Sequence, residues 1–196
     1  MKPSIGTLDL ERAERAVREL LAALGHDADS EAELRETPAR VAQSLARELL
    51  AGERVDPVAL VAEGVSPAPP GAGIVAVHGI AVAAMCPHHL LPALGVASVG
   101  YLPGGQLLGL GTLAAVVDAC ARRLVLQEEI GVLVTEAILL GAGARGAYCR
   151  LELTHSCFSA RGARQAAARV VTSHATGALA GEAGAQLVAR ALGGGE

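Results

Sequence analysis

Gly146-Ala147-Tyr148-Cys149-Arg150-Leu151-Glu152-Leu153-Thr154-His155 alternates between two kinds of side chain with a period of two. Cys149, Leu151 and Leu153 fall on one side and Tyr148, Arg150, Glu152 and Thr154 on the other, the pattern of a strand with one buried face. Carried through Ser156, the same alternation places His155 and Cys157 on one face. Working outward, 94–102 and 74–84 read as two strands joined by a loop containing Cys86-Pro87-His88-His89. Residues 112–126 and 128–141 read as two helices, and 168–175 as a last strand. The order strand-strand-helix-helix-strand-strand predicts an α+β fold, an antiparallel sheet carrying helices, with edges open to pairing with other subunits.

Upstream, residues 8–24 set Leu10, Ala13, Val17, Leu20, Leu21 and Leu24 at helical spacing. Thr37 reads as the N-cap of a second helix and Pro38 as its first residue, with an apolar stripe through Val41, Leu45 and Leu49. Arg40 then lies in the first turn, at a helix end suited to anions. Residues 66–73, rich in proline and glycine, read as a linker. The chain therefore divides into an N-terminal helical arm, 1–66, and a single compact unit, 67–196.

Composition narrows the partners. The 196 residues suffice for one domain with a sizeable core. Hydrophobic residues make up 52% but aromatics only 2% with no Trp, so the core must be Ala, Val and Leu and few platforms exist for stacking bases. A net charge of −4 argues against general binding to nucleic acid or to an anionic membrane. The expected partners are small molecules and other copies of the chain. Met1-Lys2-Pro3 leads into a charged amphipathic segment rather than the apolar block of a signal peptide, so the protein reads as cytoplasmic. In that reducing setting Cys86, Cys120, Cys149 and Cys157 are read as thiols rather than disulfides.

Cys86-Pro87-His88-His89 and His155-Ser156-Cys157 together offer two thiolates and imidazoles, the donor set zinc prefers. Three protein ligands leave the fourth tetrahedral position for water, as a catalytic site requires. Spacing alone allows a plainer reading, in which both cysteines are small buried hydrophobes. Cys120 and Cys149 lie on apolar faces and read as core thiols, and His78 and His174 as structural.

The accumulated motifs resemble the GTP cyclohydrolase I family from about residue 12 to 180. Glu36-Thr37-Pro38-Ala39-Arg40-Val41-Ala42 is similar to its Thr-Pro-x-Arg segment, and Cys86-Pro87-His88-His89 to its Cys-Glu-His-His. Tyr101-Leu102-Pro103 and Gly109-Leu110 also fit. Ala121-Arg122-Arg123-Leu124-Val125-Leu126-Gln127-Glu128 resembles its Ala-Arg-Arg-Leu-Gln-Val-Gln-Glu, and His155-Ser156-Cys157 with Arg161-Gly162 its His-x-Cys-x-x-x-Arg-Gly. The resemblance implies a tunnelling fold (T-fold) with an antiparallel ββααββ core. It further implies a ring-shaped homo-oligomer, a decamer or related assembly, with sites between subunits. It assigns Zn²⁺ to Cys86, His89 and Cys157, proton handling to His88 and His155, the guanine base to Gln127 and Glu128, and phosphates to Arg40 and Arg161. The implied reaction opens the imidazole ring of GTP, releases formate and closes dihydroneopterin triphosphate.

The departures concentrate at the phosphate end. Where the family has Gly-Leu-Ser-Lys-x-x-Arg, this chain has Gly109-Leu110-Gly111-Thr112-Leu113-Ala114-Ala115, and Gln43 stands for a lysine. Losing three charge-assisted contacts of roughly 1.5–3 kcal/mol each removes about 4–9 kcal/mol of binding if nothing replaces them, and the candidate replacements, Arg164 and Arg169, lie beyond the matched positions. Gly111 also lacks the hydroxyl that the family places near the ribose, and Pro87 removes a carboxylate beside the metal. The expected activity is therefore zinc-dependent ring opening of a purine-type substrate with fewer phosphates than GTP, stopping short of a pterin. Two alternatives are a genuine GTP cyclohydrolase I and a non-catalytic zinc-containing subunit.

Overall fold

The computed structural model describes residues 7–191 and Gly193. Met1-Lys2-Pro3 and the outer ends of the two expected units lie outside these residues. Helix α1, Leu10–Ala23, starts where Asp9 accepts a hydrogen bond from the Arg12 amide, closing one of the donors a first turn leaves free. Helix α2, Thr37–Ser44, begins at Thr37 itself rather than being capped by it, with Glu36 preceding and Pro38 in the first turn. The apolar stripe continues beyond Ser44, but the backbone passes into a π-helical turn, Leu45–Leu49, and a 3₁₀ turn, Ala51–Arg54. A short helix unread in the sequence, α3, Pro57–Glu63, follows, capped by Asp56 accepting from Val58 N and Ala59 N.

Strand β1, Val65–Pro67, occupies the start of the expected linker and pairs with β4, Gln106–Leu108. Between them lie β2, Val75–Cys86, and β3, Leu91–Leu102, and after them α4, Leu110–Ala121, and α5, Gln127–Gly141. Strand β5, Gly146–His155, leads directly into the single helical turn α6, Ser156–Ser159, and β6, Val170–Gly177, and α7, Glu182–Ala191, complete the described residues. The main sheet runs β2-β3-β5-β6, antiparallel throughout. The architecture is α+β. In β2 the ladder is interrupted between Val77 and Ile80, where Gly79 takes a φ of +69°.

One sheet face is covered by α4 and α5. Ala97, Val99, Leu151 and Leu153 from the strands meet Leu113, Val117, Ile130, Val134 and Ile138 from the helices, all buried. Burying a Val, Leu or Ile side chain stabilises by roughly 1.5–3 kcal/mol. The alternation in 146–155 thus falls as expected, with Cys149, Leu151 and Leu153 inward. Tyr101, fully buried, accepts a hydrogen bond from Leu108 N at 2.8 Å and ties β3 to β4. Burial pushes the Cys120 and Cys149 thiols up to about 12, which makes them unreactive core groups. His174 is also structural, its Nδ1 2.8 Å from Thr135 Oγ1 on α5.

On the opposite face Leu94, Val96 and Val171 are exposed, and β2 and β6 are the sheet's edges. Among the described residues no helix is long and apolar enough to cross a membrane.

Candidate metal centre

Three chain segments converge at one end of the sheet. Cys86 is the last residue of β2, paired with Leu91 across the turn that opens β3. The turn closes through Leu90 N donating to Cys86 O at 2.9 Å, with Leu90 in the left-handed region at φ 51°. That tight reversal brings His88 and His89 back over Cys86. His155 ends β5 opposite Ala93 of β3.

Cys157 arrives by a route the sequence reading did not foresee. Strand alternation stops at His155, and Cys157 sits in the helical turn α6, so a tight coil rather than an extended chain brings its sulfur to the site.

Cys86, His89 and Cys157 each bring one ligand atom to within 4.8 Å of the others. With Zn–S at about 2.3 Å and Zn–N at about 2.0–2.1 Å, tetrahedral sulfur and nitrogen ligands stand about 3.6 Å apart. Cys86 Sγ and His89 Nδ1 are 3.7 Å apart. Two sulfurs and one imidazole at this separation fit a tetrahedral, borderline-soft ion, with room for a further ligand. His88 Nδ1 lies 4.0 Å from the same sulfur, its ring steeply inclined to that of His89. Burial raises the Cys157 thiol above its ordinary 9.0, reinforced by its hydrogen bond with and the charge of Cys86.

The cleft beside this group is lined by Cys86, His88, His89, Gln127, His155 and Cys157 on an apolar floor that includes Met85 and Leu153. Burial lowers the pKa of His155, an effect opposed by the nearby charge of Glu128, so the ring is biased towards its neutral form. Glu128 is exposed at the start of α5. The neighbouring Glu129 takes the helix-capping role, accepting from Leu126 N at 3.1 Å, which leaves Glu128 unspent.

Gln127 is different. Although the resemblance implies a ligand contact, its amide is spent on protein partners: Nε2 donates to Val170 O (3.0 Å), Thr172 Oγ1 (3.2 Å) and Leu151 O (3.4 Å), and Oε1 lies 2.7 Å from His155 Nε2. Arg161 is exposed but close enough for its charge to act on Cys157. Arg40, also exposed, pairs with Glu36 one turn earlier and lines a separate apolar groove that shares Met85 and His89 with the metal cleft. At the start of α4, Leu110 is 70% exposed and Gly111, Ala114 and Ala115 are exposed around it.

The sequence profile described as GTP cyclohydrolase I matches residues 13–191. A protein named GTP cyclohydrolase 1 from Leifsonia xyli subsp. xyli is 42% identical over 182 residues, covering 92% of this chain and 94% of its own. One of the same name from Streptomyces griseus subsp. griseus is 42% identical over 181 residues, covering 90% and 87%. Another from Rhodopirellula baltica is 42% identical over 172 residues, covering 88% and 73%. Among solved structures, the archaeosine synthase QueF-Like in the apo form aligns with a TM-score of 0.45 and 18% identity, over 55% of this chain and 96% of that one. With a profile match across nearly the whole chain and relatives at this identity and coverage, the chain belongs to the GTP cyclohydrolase I family.

Proposed function

We propose that this protein is a zinc-dependent hydrolase that opens the imidazole ring of a guanine-type purine carrying fewer phosphates than GTP. The observation that carries the hydrolase reading is the grouping of Cys86, His89 and Cys157 beside His88 and His155 in one cleft. Zinc held by those three residues would supply Lewis-acid and water-activating chemistry. His155 and His88 are suited to moving protons at the purine ring, since an imidazole titrates near neutral pH. Glu128, its carboxylate free of the helix cap, is suited to accept the paired N–H groups of a guanine edge.

The exposed first turn of α4 supports the phosphate part of the reading. Leu110, Gly111, Ala114 and Ala115 present no cation there, and a Cβ on Gly111 would meet nothing within 4 Å beyond its chain neighbours and its own helix backbone. Thr112, where the family has lysine, turns its hydroxyl against Gly64. Arg161 remains near the cleft for one anionic group. We further read the fold as a T-fold unit with an N-terminal helical arm, in the cytoplasm; the expected division at 66 falls inside β1, whose pairing with β4 ties the end of the arm to the unit. The open edges β2 and β6 and the exposed Leu94, Val96 and Val171 support assembly of copies into a ring with sites between subunits.

A second reading is GTP itself as substrate, favoured by the shared name of the relatives. The zinc-loaded protein incubated with GTP, GMP, guanosine and guanine, with formate and product masses read out, separates the two. Formate release fastest from GMP or guanosine supports the first; efficient conversion of GTP to dihydroneopterin triphosphate selects the second.

A further inference from the structure

We infer that Gln127 is a positioning residue that holds His155 in the Nε2–H tautomer and so fixes which ring nitrogen carries the lone pair. The orientation of the Gln127 amide is decided by its surroundings. Its nitrogen stands against the backbone carbonyls of Val170 and Leu151, and a carbonyl only accepts. Flipping the amide would set oxygen against oxygen at both carbonyls. The amide oxygen must therefore be the atom 2.7 Å from His155 Nε2. An amide oxygen only accepts, so Nε2 carries the hydrogen, and a neutral imidazole then has its lone pair at Nδ1.

The arrangement is anchored well beyond the pair. Gln127 is 5% exposed and is the first residue of α5. Its acceptors lie on β5 (Leu151) and β6 (Val170, Thr172), while His155 ends β5. One side chain thus ties a helix start to two strands and to the imidazole at the cleft. Turning outward to meet a purine would give up the bonds to Val170 O, Thr172 Oγ1 and Leu151 O, so ligand contact from this end of α5 falls to Glu128. The spectroscopic part of the inference stands on the hydrogen bonds alone; the kinetic part rests on the proposed ring opening.

The test uses zinc-loaded protein labelled with ¹⁵N-histidine, the His155 signals being assigned by their loss in His155→Gln. Long-range ¹⁵N–¹H correlation distinguishes protonated from bare ring nitrogens. The wild type should show hydrogen at Nε2. Gln127→Leu should lose that preference and reduce kcat by about 10- to 100-fold, the range for partners that orient a working histidine, with KM changed less than about twofold. A wild-type Nδ1–H tautomer would overturn the inference. So would a Gln127→Leu variant that raises KM with tautomer and kcat intact, since that is the behaviour of a ligand contact. If the wild type opens no purine at all, the proposed function fails while the tautomer measurement still decides the role of Gln127.

Discussion

Lowering the pH from 8 to 7 should weaken zinc binding by at least about tenfold. Cysteine ligates as thiolate, so each thiol that is protonated in the free protein must release its proton when the metal enters. Every such proton makes apparent affinity fall tenfold per pH unit, or about 1.36 kcal/mol. The Cys157 thiol is held above its ordinary 9.0, by burial first and then by Cys86, so it is protonated throughout this window and supplies that factor of ten. The sign is unambiguous: the raised Cys157 favours the protonated, metal-free form, and its contribution grows as pH falls. Competition against a chromophoric chelator calibrated at each pH, at constant ionic strength, reads the slope directly. Cys157→Ala should make the residual dependence shallower by one proton. A dissociation constant unchanged between pH 7 and 8, or a slope that the Cys157→Ala variant leaves alone, would refute the assignment of Cys157 as a thiolate ligand.

Cys86→Ala should abolish both zinc retention after dialysis and formate release, while changing the unfolding free energy of the metal-free protein by only about 1 kcal/mol; elemental analysis and denaturant titration check the two halves separately. Tyr101→Phe leaves the Leu108 amide without its acceptor in a buried setting, so urea unfolding should report a loss of about 1–3 kcal/mol. An unchanged midpoint would mean that this amide finds another partner. Gly95→Ala would place a Cβ 2.0 Å from the Glu152 carbonyl oxygen, between β3 and β5. Separating those strands should cost about 1–3 kcal/mol or more and, because the same ladder aligns His155, also lower kcat; a variant as stable and active as the wild type would show that the ladder adjusts freely.

Local pattern carried much of the fold. The period-two alternation of 146–155 became β5 with Cys149, Leu151 and Leu153 buried, because which way a strand residue points depends only on its parity. The strands read at 74–84 and 94–102 and the helices around 112–126 and 128–141 exist with shifted ends, since periodicity marks the middle of an element better than its cap. Elements stabilised by distant partners escaped notice. Strand β1 lies in a proline-bearing stretch that reads as linker, and it is a strand only because Gln106–Leu108 pairs with it. Helix α3 is too short for a periodic signal, although Asp56 before Pro57 is a start signal that could have found it.

The site divides in the same way. Residue chemistry by itself determined that two sulfurs and an imidazole were available and that the usual cations were missing from 112 and 115, because charge and ligand softness belong to side chains wherever they lie. The tertiary structure decided the rest. It brought Cys157 to Cys86 through a helical turn instead of a continued strand, gave the helix cap to Glu129 rather than Glu128, and turned Gln127 inward. Those outcomes depend on which donors and acceptors burial leaves unpaired once strands and helices are in register, and no residue carries that information on its own.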